Sequence, residues 1–185
     1  MRKLVVLITV FLLGCITAAP KDNQPYAKLN KLSEISGVYS NIGESESLIL
    51  GDARNVPELS YRIWGDDMDV PHDSIEKIIV SVVSDNEINV RAIAGEKVVR
   101  TSQFELGKDF EVLNDRVRIH KSMSWLGGGA GSLYAGPVYT TVDLGIDTSG
   151  DGKNITNEFS VGIFSLIPIA IGVKEEVRYR KIGVE

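Results

Sequence analysis

Cysteine is almost absent. Cys15 is the only one in 185 residues, so no disulfide within the chain can stand in for a hydrophobic core. Histidine is nearly as scarce, with His72 and His120 alone. No G-x-S-x-G elbow accompanies them, so the residue order gives no pointer to a Ser-His-Asp hydrolase. No apolar run reaches the roughly 18–20 residues that a helix needs to cross a bilayer. In the body of the chain Phe164 to Val173 comes nearest, and Pro168 and Gly172 interrupt it. A basic excess is missing too. Lys and Arg number 20 against 25 Asp and Glu, a formal charge of −5, which argues against nucleic acid as a partner.

What is present begins at the N-terminus. Arg2 and Lys3 precede an apolar stretch from Leu4 to Leu13, and Leu12-Leu13-Gly14 leads directly into Cys15. As a helix those ten or so residues would reach about 15 Å, half of the roughly 30 Å hydrocarbon core, so they cannot span it. The arrangement resembles a bacterial lipoprotein signal with its lipobox, in which residues 1–14 are removed and Cys15 carries the lipid. Thr17-Ala18-Ala19 also offers small residues for an ordinary secretory cut after Ala18 or Ala19, but lipidation accounts for an otherwise solitary cysteine. With Ile16 second in the mature chain, the resemblance implies an outer-membrane destination facing the periplasm. Loss of residues 1–14 removes Arg2 and Lys3 and no acid, moving the formal charge from −5 to −7.

Residues 15–31 are expected to form the lipidated N-terminus and a tether, since Lys21 to Lys31 is polar, carries Pro25 and shows no hydrophobic period. The remaining 32–185 read as one domain. About 150 residues suffice for a single core that buries nearly 70% of the surface of the unfolded chain.

Within that domain the dominant period is two. Ile78, Val80 and Val82 share a face before Ser84-Asp85-Asn86-Glu87, and Ile88, Val90, Ala92 and Ala94 share one after it, which is a hairpin signal. Gly95-Glu96 and Gly107-Lys108-Asp109 mark further turns. Alternation resumes over Val117 to Trp125, Val142 to Ile146, Ile155 to Ile163 and Val177 to Tyr179. The pattern predicts an all-β fold: an antiparallel up-and-down meander of about eight strands forming a barrel or a sandwich. One short helical turn is expected near 57–64, capped by Asn55, started by Pro57, with Leu59 and Ile63 on one face.

Gly37-Val38-Tyr39 is similar to the opening strand of lipocalin-like proteins, which carry Gly-x-Trp there; tyrosine replaces the tryptophan. That likeness implies a barrel around an apolar ligand. More broadly, the hairpins followed by Ile167-Pro168 and Arg178-Tyr179-Arg180 resemble β-rich bacterial envelope lipoproteins, which implies no activity.

Three segments carry candidate sites. Asp147, Ser149 and Asp151, with Glu158 further on, match the spacing of an EF-hand-like calcium loop. Strand-like alternation on both sides favours a polar hairpin loop, with a calcium site as the alternative. Asp66, Asp67, Asp69 and His72 group hard oxygens with an imidazole and are read either as divalent-cation ligands or as a solvated acidic loop. Trp125 to Gly136 is glycine-rich and flanked by Trp125, Leu126, Leu133 and Tyr134. It is either a lid over a ligand cavity or a long hairpin loop whose aromatics complete the core. Arg116, Arg118 and Lys121 with Arg178, Arg180 and Lys181 form a basic stripe only if their strands are neighbours. The expected function is a non-catalytic, lipid-anchored envelope protein that needs no cofactor and binds an apolar small molecule or lipid inside a barrel-like domain. Tyr39, Ile119, Trp125, Leu144, Phe159 and Tyr179 would line that interior. The alternative is a structural or protein-interaction lipoprotein with a filled core.

Overall fold

A computed structural model describes residues 12–45, 58–127, 134–165 and 167–184. The described chain is all-β, two sheets packed as a sandwich with no closed barrel. Its strands are β1 (Leu12–Ala18), β2 (Gly37–Ser40), β3 (Lys77–Ser84), β4 (Glu87–Ala94), β5 (Lys97–Glu105), β6 (Glu111–Val112), β7 (Val117–Gly127), β8 (Tyr134–Ile146), β9 (Gly152–Phe164), β10 (Ile167–Tyr179) and β11 (Lys181–Gly183). A six-stranded sheet runs β1-β10-β9-β8-β7-β6, and a five-stranded sheet runs β11-β2-β3-β4-β5. Eleven strands stand where about eight were expected. The additions are the short β6 and β11, too brief to show a period, and β1, which lies in the segment read as signal and lipidation site.

The hairpins form where turn chemistry places them. β3 and β4 pair through Asp85-Asn86, and Gly95 turns β4 into β5 at φ +59°, a conformation that costs glycine little. The expected helical turn is α1 (Leu59–Trp64). Asn55 and Pro57 lie outside the described residues, and the side-chain cap comes from far along the chain: Asn41 Oδ1 accepts the Ser60 N–H at 2.8 Å. Asn41 is fully buried and its amide also donates to the carbonyls of His72 and Ile75. One side chain thus fixes the helix start and the loop beside it.

The core lies between the sheets. Ile78, Ile88, Val90 and Ala92 face Val117, Val177 and Tyr179, closed by Leu32, Ile35 and Leu59. Between the two sheets only voids of about 50 and 40 Å³ remain, small against the roughly 300–1,000 Å³ of a small-molecule pocket, while an open cavity of about 380 Å³ lies at the edge of the core beside Ile63, Phe104, Phe110 and Ile119. Tyr39, Tyr179, Ile119 and Leu144 belong to this core as expected, whereas Trp125 and Phe159 are exposed at 68% and 50%. The lipocalin-like interior is therefore not what this chain builds.

The segment read as a tether is laid on the outer face of the six-stranded sheet. Ala27 N–H donates to the Ile146 carbonyl at 2.8 Å and Thr148 N–H to the Pro25 carbonyl at 3.1 Å. The Tyr26 hydroxyl donates to the Asp143 carbonyl at 3.0 Å, its ring under the Arg116 guanidinium. Burial, then the Asp143 charge, raises the Tyr26 pKa. Lys153, almost wholly buried, donates to Asn23 Oδ1, the Gln24 carbonyl and Glu176. A polar sequence looked unattached because its partners lie more than a hundred residues away.

Candidate lipid-contacting surface

The two sheets are unequal. β8, β9 and β10 are 13 residues each and β7 is 11, whereas β2 to β5 span 4 to 9. The shorter sheet covers only one end of the longer one. Beyond Val142 and Thr156 only Gly136 is buried on the inner face of β8 and β9, and among the described residues no strand of the smaller sheet reaches this half.

Register shows which residues share a face in that uncovered half. Met123 pairs with Tyr139, Tyr139 with Phe159, Phe159 with Gly172, and Gly172 with Cys15. Cross-strand partners point the same way, so these five residues form one row on the outer face. Trp125 with Pro137 and Val161 with Ala170 lie in the next row, then Ala135, Ile163 and Pro168. Among the described residues no charged side chain occurs in these outer rows from Met123 onward, and besides the Cys15 thiol their only polar side-chain atoms are the Tyr139 hydroxyl and the Trp125 indole N–H. Their large members are exposed, from 43% at Val161 to 68% at Trp125. Alternation was legible in the sequence, but the apolar positions were read as interior because a period of two does not say which face is covered.

Cys15, exposed on β1, ends the first row. Residues 15–18 pair with Gly172 to Glu175. Between Ala18 and Asn23, where side-chain bonds to Lys153 and Glu176 begin, only four residues intervene. The cysteine therefore has no long leash.

The inner face of the same half carries an open groove of about 450 Å³, with Leu126, Tyr134 and Val138 among its walls. Trp125 lies on the outer face and Leu133 outside the described residues, so three of the four aromatic and aliphatic candidates are placed and they divide between two faces.

Asp147 and Asp151 serve the fold. Asp147, 2% exposed, accepts from the Ser149 N–H and hydroxyl and the Asp151 N–H with one oxygen. Asp151 in turn accepts the Lys181 N–H at 2.8 Å. The strand resumes at Gly152, so Glu158 stands about 20 Å along it at roughly 3.3 Å per residue and cannot close a calcium loop; the polar-hairpin reading fits. Asp67 pairs with Arg100. Both His72 nitrogens are occupied: Nε2–H donates to the Gly65 carbonyl at 2.9 Å, and the Ser60 hydroxyl donates to Nδ1 at 2.8 Å. His72 is a bracket for α1. Among the described residues no three His, Cys, Asp or Glu come together as a metal would require, Asp66 and Asp69 included.

The basic stripe does not assemble either. Arg116 and Arg118 both bind Asp143, Arg178 binds Glu44, and the Lys181 ammonium donates to the Ser36 carbonyl.

No family model, no curated protein and no solved structure matches this chain.

Proposed function

We propose that this is a non-catalytic, lipid-anchored protein of the bacterial outer membrane that faces the periplasm and seats the uncovered half of its larger sheet on the leaflet. One observation carries the reading: Cys15 lies in the same outer row as Met123, Tyr139 and Phe159, at the edge of an uncharged, mostly apolar, exposed face. An acyl group on Cys15 would enter the membrane where that face would meet it. A monomeric soluble protein rarely leaves such a patch uncovered. The small voids between the sheets favour a surface role over enclosure of a ligand, and the buried titratable groups Asp143, Lys153 and Glu176 are spent on joining strands.

Backbone chemistry decides the pose. Among the described residues β7 has a partner on its outer side only at Val117 and Arg118. Tip-first insertion would carry an open edge into hydrocarbon, where each unpaired backbone group costs several kcal/mol. Lying face down keeps both edges at the wet interface while Trp125 and Tyr139, suited to that depth, sink below it.

The test is fluorescence of the lipidated protein in vesicles containing brominated phospholipids. Trp125 is measured in a Trp64→Phe background and Trp64 in a Trp125→Phe background. Quenching of Trp125 with Trp64 little affected is expected, since Trp64 is held by the Ser102 hydroxyl at 2.8 Å. Equal, weak quenching of both would sink the proposal.

A further inference from the structure

The groove on the inner face is graded along its length. At the sandwich end one row holds Ser122, Thr140, Glu158 and Val173; the next holds Ser124, Val138, Ser160 and Ile171; the third holds Leu126, Gly136, Gly162 and Ile169. Polar side chains fall from three of four, to two, to none. The outer face of the same strands changes in one step, from Lys121, Thr141, Asn157 and Lys174 to Met123, Tyr139, Phe159 and Gly172. An amphiphile lying in a groove needs a polar end and an apolar end.

The polar end is anionic. Glu158 is the sole charged side chain lining the groove, exposed and without an ion pair or hydrogen bond among the described residues, whereas Asp143 and Glu176 are each held by cations. At the other end the Tyr134 ring lies across Gly136 and Gly162, and a Cβ at either glycine would run into the backbone of the neighbouring strand as well as into the ring or its hydroxyl. Its hydroxyl meets that of Ser160. The two glycines thus keep the ring down as part of the wall. From Glu158 to Phe164 the groove runs about 20 Å at roughly 3.3 Å per residue. Its 450 Å³ falls within the range of lipid-sized and drug-sized sites.

We infer that this groove holds one acyl chain of a lipid whose headgroup carries a primary ammonium, with the ammonium on Glu158 and the chain running between Val138 and Ile171 toward Phe164. The inference rests on the membrane-seated reading for its supply of lipid, yet it concerns the opposite face. A carboxylate accepts hydrogen bonds from a primary ammonium and attracts it, adding charge assistance that a quaternary ammonium cannot supply.

The test uses the full lipidated protein, extracted in detergent and examined by native mass spectrometry after equal additions of dioleoyl phosphatidylethanolamine, phosphatidylcholine or phosphatidylglycerol. Retention of one phosphatidylethanolamine at about five times the level of phosphatidylcholine is expected, corresponding to about 1 kcal/mol by the tenfold-per-1.4 relation. Glu158→Gln should abolish the preference and Glu158→Lys should shift it toward phosphatidylglycerol. Val138→Trp, which fills the groove, should abolish retention of all three while Trp125 quenching persists. Wild-type retention that ignores the headgroup, retention that survives Val138→Trp, or no retained lipid together with a dimer occupying the groove would each overturn the inference. Loss of Trp125 quenching with lipid retention intact would sink the membrane-seated reading alone.

Discussion

The two halves of the six-stranded sheet are made by the same four long strands, yet among the described residues one half is covered on both faces and the other on neither. In the covered half the inner residues Val117, Val177 and Tyr179 pack against the smaller sheet. The outer residues Asp143, Lys153 and Glu176 are sealed by the Asn23 to Ala27 segment. In the uncovered half the outer row from Met123 to Cys15 has no counterpart. Stability is thereby concentrated at one end, leaving apolar area at the other for contact with something else.

Substitution at the centre of the covered half should have the largest effect. Ile78 is fully buried, so Ile78→Ala should cost about 3–4 kcal/mol through lost burial and a residual cavity. Urea denaturation of the unacylated protein checks this, and a loss under about 1 kcal/mol would mean that the interior is looser than its small voids indicate.

Next comes the outer seal. Lys153→Met removes the cation from Glu176 and leaves Asn23 Oδ1 and the Gln24 carbonyl without their donor. Breaking a buried pair typically costs about 3–5 kcal/mol. Lys174 and Asn23 still bind Glu176, so about 2–3 kcal/mol is expected by the same principle. Hydrogen exchange at Ala27, whose N–H is bonded to Ile146, should accelerate alongside it. Stability loss with Ala27 still protected would show that the segment is held by Tyr26 alone.

Much of this architecture was legible in the sequence, and the gaps have physical causes. The strand pairs β3–β4 and β8–β9 follow from period two and their turn residues. The cap that the sequence offers for α1, Asn55, lies outside the described residues, while the bond to the Ser60 N–H from Asn41 is set by tertiary packing and leaves no local pattern. Tyr26 and Lys153 act across more than a hundred residues, so the segment around Tyr26 looked like a tether. For the surface, Trp125 and Tyr134 drew notice through the adjoining glycines. Tyr139, Val161 and Ile163 have the same periodicity as core residues. Only the lengths of the strands in the opposite sheet show that none of its described residues reaches them.

A smaller effect is expected from acid. Burial alone would raise Glu176, but hydrogen bonds from Lys153, Lys174 and Asn23 outweigh it and hold the carboxyl at about 2, below its ordinary 4.5. The unfolded chain therefore takes up a proton at a pH where the folded chain does not. The stabilisation is complete above about 4.5 and is lost as pH falls from there toward 2. Urea midpoints measured at several pH values should converge for wild type and Glu176→Gln on acidification. A constant difference between them would assign the acid sensitivity to other carboxylates.

The smallest effect on stability should come from the uncovered outer face, and it separates the halves most sharply. Phe159 and Val161 are 50% and 43% exposed, so the pair Phe159→Ser and Val161→Ser gives up contacts with strand neighbours only and opens no enclosed cavity. Exposed substitutions away from caps and ion pairs usually fall within about 0.5 kcal/mol, and serine keeps the alternation that a strand requires. The urea midpoint of the unacylated double variant should therefore match wild type. Its behaviour on vesicles should not: two polar side chains placed between Cys15 and Trp125 break the apolar row, and quenching of Trp125 by brominated lipid should fall to about half while the acyl anchor keeps the protein membrane-bound. A large drop in stability with quenching unchanged would reverse the comparison, making this face part of the folded core and leaving the anchor as the sole contact with lipid.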